Sequence, residues 1–301
     1  MLTVNQILTE QLRAALPRIE STFDSQGITA LRVRQLQVLL QKNRRSWEIS
    51  PELSFTKFLK FMLKRSKLRE ITLESVDYGS QTRYVWKLPS VHAVALSIKS
   101  KSYLSHQTAV FLQGLSDQPS ERVYVNHEQS PKPRGDGLSQ EGLNRAFANT
   151  QRESKLVYSF NKSRIVVLNG KFTDRLGVEA KQSHSGAVLD ITNLERTLID
   201  ITVRPSYAGG VNAVLAAFQK AKGQLSIDRL LSILKHLDYV YPYHQAIGFY
   251  LEKAGYVQSD WTRLMKLGIS FKFYLTHGLP TEKEYDSTWS LYYPSNLKVS
   301  H

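Results

Sequence analysis

The sequence has no cysteine among its 301 residues. This absence excludes disulfide bonds, thiolate zinc sites and a cysteine nucleophile, and it fits a protein of a reducing compartment. No stretch approaches the roughly 18 consecutive apolar residues of a membrane span, and the N-terminus lacks the basic start and apolar block of a signal peptide. We therefore expect a cytoplasmic protein.

Acidic residues are scarce relative to basic ones. The chain has 26 Asp and Glu against 40 Lys and Arg, which gives a formal net charge of +14. An excess of this size suggests a polyanionic partner, most often nucleic acid. The most basic segment is residues 29–69, where 11 Lys and Arg stand against Glu48 and Glu52. A solvated basic surface without a partner is the alternative interpretation.

The first 90 residues follow the order of three helices and a β-hairpin. Apolar periodicity predicts helices over about residues 4–19 and 29–41, and a third helix after Ser54. Thr29 and Ser54 are suited to cap the second and third helices. Two strand-like runs follow, LREITLES and TRYVWKL, and the DYGSQ between them has the composition of a turn.

The predicted third helix is amphipathic. Its apolar stripe has the spacing i, i+3, i+4, i+7, i+8 and consists of Phe55, Phe58, Leu59, Met62 and Leu63. Lys57, Lys60 and Lys64 fall on the opposite face. Phe61 falls there too, where it could touch a thymine methyl group or pack on a second domain.

This order of elements is that of a winged helix-turn-helix, whose third helix enters the major groove of DNA. We therefore predict an α+β protein with an N-terminal winged helix-turn-helix domain over residues 1–89 and a larger mixed α/β domain over residues 90–301. The candidate DNA-contacting residues lie on or beside the third helix and at the hairpin tip: Arg44, Arg45, Lys57, Lys60, Lys64, Arg65, Lys67, Gln81 and Arg83. Arg65, Lys67 and the following Arg69 could instead stabilise the helix dipole.

The stretch SHQTAVFLQGL combines a serine, a histidine and a glycine, which raises the question of a catalytic elbow. Such an elbow needs a glycine two residues before the serine, and here Tyr103 and Leu104 precede Ser105. His106 is adjacent in sequence, whereas the members of a catalytic triad converge from separate segments. We therefore predict that Ser105 caps a helix and that Gly114 ends it.

Two other segments have a structural and a functional interpretation. In RPSYAGG, which spans residues 204–210, a tight turn between helices is favoured over a phosphate loop because no lysine follows the glycines. In NLERTLID, Glu195 can stabilise the helix dipole, and Arg196 and Asp200 form an i,i+4 pair. We interpret these three residues as a buried network rather than a catalytic site.

An enzyme remains the alternative to a binding protein. Asp174, Glu179 and Lys181 weakly match the arrangement of some nucleases, in which carboxylates hold Mg²⁺ and a lysine orients water. The eight histidines show no zinc-binding spacing. We predict no enzymatic activity, no cofactor and no metal, with a Mg²⁺-dependent nucleic-acid-processing enzyme as the alternative.

Three stretches resemble the AbiEi family, the antitoxins of bacterial type IV toxin–antitoxin systems, which act in phage defence by abortive infection. The stretches are YLSHQTAVFLQGLSDQPSERVYV, LDITNLERTLIDITVRPSYAGGVNAVL and HQAIGFYLEKAGY. The matching positions include Ser105, Gly114, Glu195, Arg196, Asp200, Arg204, Gly209 and Gly210. The resemblance covers about residues 90–260, so the predicted DNA contacts rest on the order of elements alone.

The resemblance implies two activities. The winged helix would bind inverted repeats in double-stranded operator DNA and repress its own operon. The larger domain would neutralise a cognate nucleotidyltransferase toxin of the AbiEii type, without requiring a stable complex with it. A module that binds an acidic protein partner and no DNA is the remaining alternative.

Overall fold

The structure is a computed structural model that describes residues 3–133, 137–183, 186–278 and 281–298. The helices in chain order are α1 (Val4–Ser25), α2 (Val33–Asn43), α3 (Phe55–Arg65), α4 (Val91–Leu96), α5 (His106–Leu112), α6 (Gln140–Ala148), α7 (Leu194–Val203), α8 (Val211–Ala221), α9 (Ile227–Leu237), α10 (Tyr243–Lys253) and α11 (Gln258–Met265), with a short 3-10 helix at Pro205–Ala208. The strands are β1 (Ala30–Leu31), β2 (Leu68–Leu73), β3 (Gln81–Trp86), β4 (Tyr103–Leu104), β5 (Arg122–Glu128), β6 (Val157–Phe160), β7 (Ser163–Gly170), β8 (Val178–Gln182), β9 (Val188–Thr192), β10 (Phe273–Tyr274), β11 (Lys283–Asp286) and β12 (Leu291–Pro294). Over the described ranges, no helix is long and apolar enough to cross a membrane.

The strands form three sheets, which together with the helices make a mixed α+β architecture, as the composition of the segments predicts. The sheet orders are β1-β3-β2, β6-β7-β5-β4-β9-β8 and β10-β12-β11. In the largest sheet, β4 pairs antiparallel with β5 and parallel with β9, with Leu104 opposite Ile191.

The chain divides into two compact units. The first comprises Met1–Ser102, Leu156–Ile165 and Ala180–Leu189, and the second comprises Tyr103–Lys155, Val166–Glu179 and Asp190–His301. The predicted boundary between residues 89 and 90 falls within the first unit, which continues to Ser102 and includes two later segments.

The first unit begins with the predicted succession of three helices and a hairpin. Strands β2 and β3 are antiparallel, with Leu68 opposite Trp86 and Leu73 opposite Gln81. The core beneath them is apolar and includes Phe23, Leu36, Trp47, Phe58 and Met62, each at most 1% exposed. Strand β1, for which the sequence has no periodic signal, pairs antiparallel with β3.

Of the two predicted helix caps, the one on α3 is present and the one on α2 is not. Ser54 accepts a hydrogen bond from the backbone N–H of Lys57 at 3.3 Å, so its predicted capping role is confirmed. The predicted cap at Thr29 is wrong, because Ala30 and Leu31 form β1 and α2 begins only at Val33. The first turn of α2 is instead stabilised by the side chain of Gln35, which accepts from the backbone N–H of Arg32 at 2.9 Å.

The core of the second unit contains most of α7, α8 and α10. Along α7, the residues from Glu195 to Thr202 are all buried, including the charged ones. On α10, Gly248 faces the indole of Trp289, which is 0% exposed and donates a hydrogen bond from Nε1 to Glu252 at 2.6 Å. Helix α10 therefore accommodates a large aromatic ring at a position that lacks a side chain.

Candidate nucleic-acid interface and polar cavity

Helix α3 presents a basic face to solvent. Phe58 and Met62 are fully buried in the core of the first unit, and Lys57, Lys60 and Lys64 are exposed on the other side of the helix. The predicted amphipathic pattern is therefore confirmed. Within the described ranges, Lys60 and Lys64 form no ion pair with a carboxylate.

The basic face borders a groove of about 330 Å³ between α3 and α1. Its lining comprises Leu8, Thr9, Leu12, Arg13, Leu53, Lys57, Lys60, Phe61, Lys64 and Arg65. Phe61 is half-buried and packs against the core of the first unit. The groove brings together four of the predicted DNA-contacting residues and has no carboxylate in its lining.

The remaining predicted cations beside α3 have different environments. Arg44 donates from its guanidinium to the backbone carbonyls of Ser50 at 2.7 Å and Leu53 at 2.8 Å, so it organises the loop before α3. Arg45 is exposed. Lys67 lies 4.0 Å from a carboxylate oxygen of Glu20, at the limit of an ion pair.

The predicted position of Arg83 and Gln81 at the hairpin tip is wrong for Arg83. Arg83 pairs with Ile71 within the ladder, is 4% exposed, and donates to the carbonyls of Ser97 and Ile98, both at 3.1 Å. Gln81 begins β3 and is half-buried, with its amide engaged by Arg83. A buried guanidinium that caps carbonyls is not available to a phosphate.

Ser105 and His106 are paired within the second unit. Ser105 occupies the N-cap position of α5 and is 0% exposed, and its hydroxyl lies 2.9 Å from Nδ1 of His106. The predicted capping hydrogen bond from Ser105 is therefore absent, because the hydroxyl is used by the neighbouring imidazole. The hydroxyl is thus buried and held by the ring of the next residue.

His106 has a constrained backbone and a buried ring. Its φ of 51° lies in the left-handed region, where a residue other than glycine is strained. Its ring packs edge-on to Tyr207 at 5.5 Å. Burial, with the nearby charges of Arg204 and Arg196, lowers the pKa of His106 to about 3, so the imidazole is neutral at physiological pH.

The glycines of the family-like stretches serve turns, as predicted. Gly114 has a φ of 75° just after the C-cap of α5 and donates to the carbonyl of Phe111. Gly209 and Gly210 have φ values of 92° and 94° and connect the short 3-10 helix to α8. The interpretation of RPSYAGG as a tight turn between helices is confirmed.

The predicted network on α7 is present and buried. Nε of Arg196 lies 2.8 Å from Oδ1 of Asp200, and both side chains are under 10% exposed. Arg196 also donates to the carbonyl of Leu176 at 2.7 Å. Glu195 accepts from the backbone N–H of Ser226 at 3.1 Å, so it connects α7 to the start of α9.

A cavity of about 780 Å³ lies beside this network, within the second unit. Its charged and histidine lining residues are His106, Lys132, Lys171, Arg196, Asp200, Arg204 and Asp238. Its other polar and aromatic lining includes Asn126, Gln129, Ser130, Asn169, Phe172 and Tyr239. Four cations and two carboxylates, with a neutral imidazole, leave the described lining with a net charge of +2.

Local sequence patterns point to only part of this cavity. Arg196, Asp200 and Arg204 are positions of a family-like stretch, for which the sequence predicts a structural role. Lys171, Asn126 and the other lining residues were missed, because they come from separate loops and strands that carry no common periodicity or spacing. Only the fold brings them together.

The residues of the alternative nuclease site lie on an exposed surface. Glu179 is on β8, accepts from the amide of Asn193 at 3.3 Å and lies 4.0 Å from Arg229. Lys181 is on the same strand, and Asp174 is in a turn before it with a φ of 50°. In the part of the chain that the structure describes, no group of three His, Asp or Glu residues is arranged to hold a metal ion.

Comparisons with known proteins give a likeness of fold. The sequence matches no family model and no curated protein. Among solved structures, the chain is similar to the crystal structure of the RV2827C protein from Mycobacterium tuberculosis, with a TM-score of 0.53 and 12% sequence identity, over 92% of this chain and 90% of that chain. Because so few residues are identical, the likeness concerns the fold and not the function.

Proposed function

We propose that the protein is a DNA-binding repressor of its own operon and an antitoxin, with the first unit beginning in a winged helix-turn-helix. The observation that carries the DNA-binding part is the exposed lysine face of α3. Lys57, Lys60 and Lys64 project from a helix whose opposite side is anchored by Phe58 and Met62 in the core. A rigid helix with a cationic face is what major-groove recognition requires.

The order of elements supports the same proposal. Helices α1, α2 and α3 precede the β2–β3 hairpin, and the short strand β1 between α1 and α2 completes a three-stranded sheet. In winged helix-turn-helix proteins, the third helix enters the groove while other elements contact the backbone. Arg65 lies in the last turn of α3 and extends the cationic face, and the exposed Arg45 precedes it.

The test is binding to a DNA probe from upstream of the gene and to a scrambled probe, each at two salt concentrations, with fluorescence anisotropy as the readout. We expect preference for the upstream probe at both salt concentrations. The variant K57A/K60A/K64A should lose affinity for both probes. If each lysine contacts one phosphate, the slope of log K against log salt should become shallower by about 2.7, at roughly 0.9 per contact.

The matched control is K235A/K266A/K298A, which removes the same charge from exposed positions of the second unit. It should bind as the parent does if α3 is the interface. Equal affinity of the parent and the α3 variant would contradict the assignment of the recognition helix. Binding with no preference for the upstream probe would leave only phosphate contacts and contradict the repressor proposal.

The antitoxin part rests on the resemblance of residues 90–260 to the AbiEi family. Its test is co-expression with the neighbouring gene product, a nucleotidyltransferase of the AbiEii type in this proposal, and growth is the readout. Rescue by the K57A/K60A/K64A variant would separate toxin neutralisation from DNA binding. A stable complex without any DNA binding would favour the interaction-module alternative, and Mg²⁺-dependent cleavage that Glu179→Ala abolishes would favour the enzyme.

A further inference from the structure

We infer that the cavity of the second unit binds a small phosphorylated molecule with a planar ring, of the mononucleotide class, and that Arg204 holds its phosphate. This inference goes beyond the proposed function, because neither operator binding nor the lysine face of α3 involves this cavity. The cavity is lined entirely by residues of the second unit.

The volume of the cavity suits such a ligand. At about 780 Å³, it lies within the roughly 300–1,000 Å³ that small-molecule sites occupy. Its lining combines apolar walls, among them Leu168, Val203 and Val240, with amide and hydroxyl groups. The net charge of +2 in the described lining favours an anion over a neutral or cationic ligand.

Arg204 is the side chain whose hydrogen-bonding capacity is left for a ligand. Its guanidinium lies over the ring of Tyr207, 5.6 Å from the centroid, and is half-buried. Its side chain donates no hydrogen bond to any residue in the described ranges and forms no ion pair there. A planar guanidinium with its donors unused is suited to bind a phosphate through two parallel hydrogen bonds.

The neighbouring Arg196 does not compete for this role. Its Nε is paired with Asp200 at 2.8 Å, and Nη1 donates to the carbonyl of Leu176 at 2.7 Å. The pair of Arg196 and Asp200 contributes no net charge to the cavity. Arg204 and Lys171 therefore supply much of the positive potential at its inner surface.

Lys171 is held rigidly beside an aromatic surface. Its Nζ donates to the carbonyls of Leu237 at 2.6 Å and Asp238 at 2.7 Å, and it lies 5.6 Å from the centre of the Tyr239 ring. Carbonyl partners fix the ammonium group without cancelling its charge. Phe172, the next residue, is 43% exposed and also lines the cavity, so its face is available to stack with a planar ring.

His106 lies at the wall of the cavity. Burial, with the charges of Arg204 and Arg196, keeps its imidazole neutral, and its backbone φ of 51° is in the left-handed region. A neutral imidazole can exchange a hydrogen bond with a ligand. Backbone strain of this kind is concentrated at ligand sites.

The experiment is isothermal titration calorimetry of the full-length protein with four probes: AMP, adenosine, ribose 5-phosphate and inorganic phosphate. We expect AMP to bind most tightly, because it engages both Arg204 and the aromatic surface. Adenosine should bind at least about tenfold more weakly, since a charge-assisted hydrogen bond is lost. Inorganic phosphate should bind weakly. If the Arg204→Gln variant no longer binds phosphate, the phosphate and AMP share the same site.

Two variants test the two contacts of the site separately, the one with the phosphate and the one with the planar ring. Arg204→Gln should weaken AMP binding by about ten- to hundredfold, whereas the control Arg145→Gln, at an exposed position outside the cavity, should have no effect. Phe172→Ala should weaken AMP binding about tenfold. It should not change the affinity for ribose 5-phosphate, which has no base to stack. Because Phe172 is not part of the buried core, this variant tests the site even if Arg204→Gln fails to fold.

The outcomes separate this inference from the proposed DNA interface. Arg204→Gln should keep the parent's affinity for operator DNA, and K57A/K60A/K64A should keep the parent's affinity for AMP. The inference is overturned if AMP does not bind at millimolar concentration. It is equally overturned if AMP binding survives Arg204→Gln and Phe172→Ala but disappears in the α3 lysine variant, because the ligand would then occupy the DNA interface.

Discussion

The absence of a side chain at Gly248 leaves room for the indole of Trp289. A Cβ built on Gly248 would lie 2.1 Å from Cη2 and 2.2 Å from Cζ3 of Trp289, far inside van der Waals contact. The indole cannot withdraw easily, because it is fully buried and its Nε1 is hydrogen-bonded to Glu252. We therefore expect Gly248→Ala to destabilise the protein.

Two opposing effects set the size of this loss. Alanine gains about 1 kcal/mol over glycine inside a helix. Overpacking a rigid core costs typically about 1–3 kcal/mol, and the backbone and the hydrogen bond to Glu252 place Gly248 at the upper end of that range. The expected net loss is about 2 kcal/mol in the free energy of unfolding.

A double-mutant cycle with Trp289→Leu tests the reason as well as the size. Trp289→Leu alone should cost about 3–5 kcal/mol, because it leaves a cavity. In that background Gly248→Ala meets no indole and should stabilise α10 by about 1 kcal/mol. The effect of the same substitution thus changes sign, with a coupling energy of about 3 kcal/mol.

The assay is urea unfolding followed by far-ultraviolet circular dichroism, with equal m-values as the condition for comparing variants. Gly142→Ala on α6 is the control, since its Cβ would approach only the hydroxyl of Ser139, at 3.2 Å. Its effect should stay within about 1 kcal/mol of zero. Stabilisation by Gly248→Ala in the parent, or a coupling energy near zero, would refute the reasoning.

Two further predictions concern charged residues of the first unit. Arg44→Ala should destabilise this unit by about 1–2 kcal/mol, since hydrogen bonds from a charged group to carbonyls are lost. The control Arg45→Ala, at an exposed position, should change stability by less than about 0.5 kcal/mol. Thermal unfolding of the two variants measures this difference. Hydrogen bonds from Lys87 and Trp86 hold the pKa of Asp24 below its usual 3.8. Asp24 therefore stabilises the fold above that pH, and the advantage of the parent over Asp24→Asn should disappear as the pH falls through the lowered pKa; no such pH dependence of their difference would contradict this assignment.

Local sequence signals predicted much of the first unit. The stripe of Phe58 and Met62 and the cap at Ser54 follow from spacing and side-chain chemistry, and the structure has both. Strand β1 was missed because two residues carry no periodicity, and its pairing with β3 depends on a partner more than 50 residues away. The misplaced cap at Thr29 is a consequence of the same tertiary pairing.

Side-chain roles were harder to predict than elements, because a charged residue has the same local signature whether it faces solvent or caps carbonyls. Arg44 and Arg83 are both predicted DNA-contacting residues, yet their guanidinium groups bind backbone carbonyls of their own unit. Lys60 and Lys64 are exposed as expected. On α3, helical spacing separates the two kinds, because an apolar stripe defines which face points outward.

The buried pair of Arg196 and Asp200 has a role that stability alone does not explain. Ion pairs of this kind contribute little net stability, because desolvation offsets their attraction, and apolar residues of similar volume often serve as well. Here the pair lies at the wall of a cavity, and the second bond of Arg196 fixes the loop at Leu176. Asp200 also neutralises Arg196 where Arg204 stands unpaired within the described ranges. Arg196 is thus part of the scaffold, whereas the donors of Arg204 are not used by the described residues. Arg204, and not the more deeply buried Arg196, is therefore the residue to substitute first.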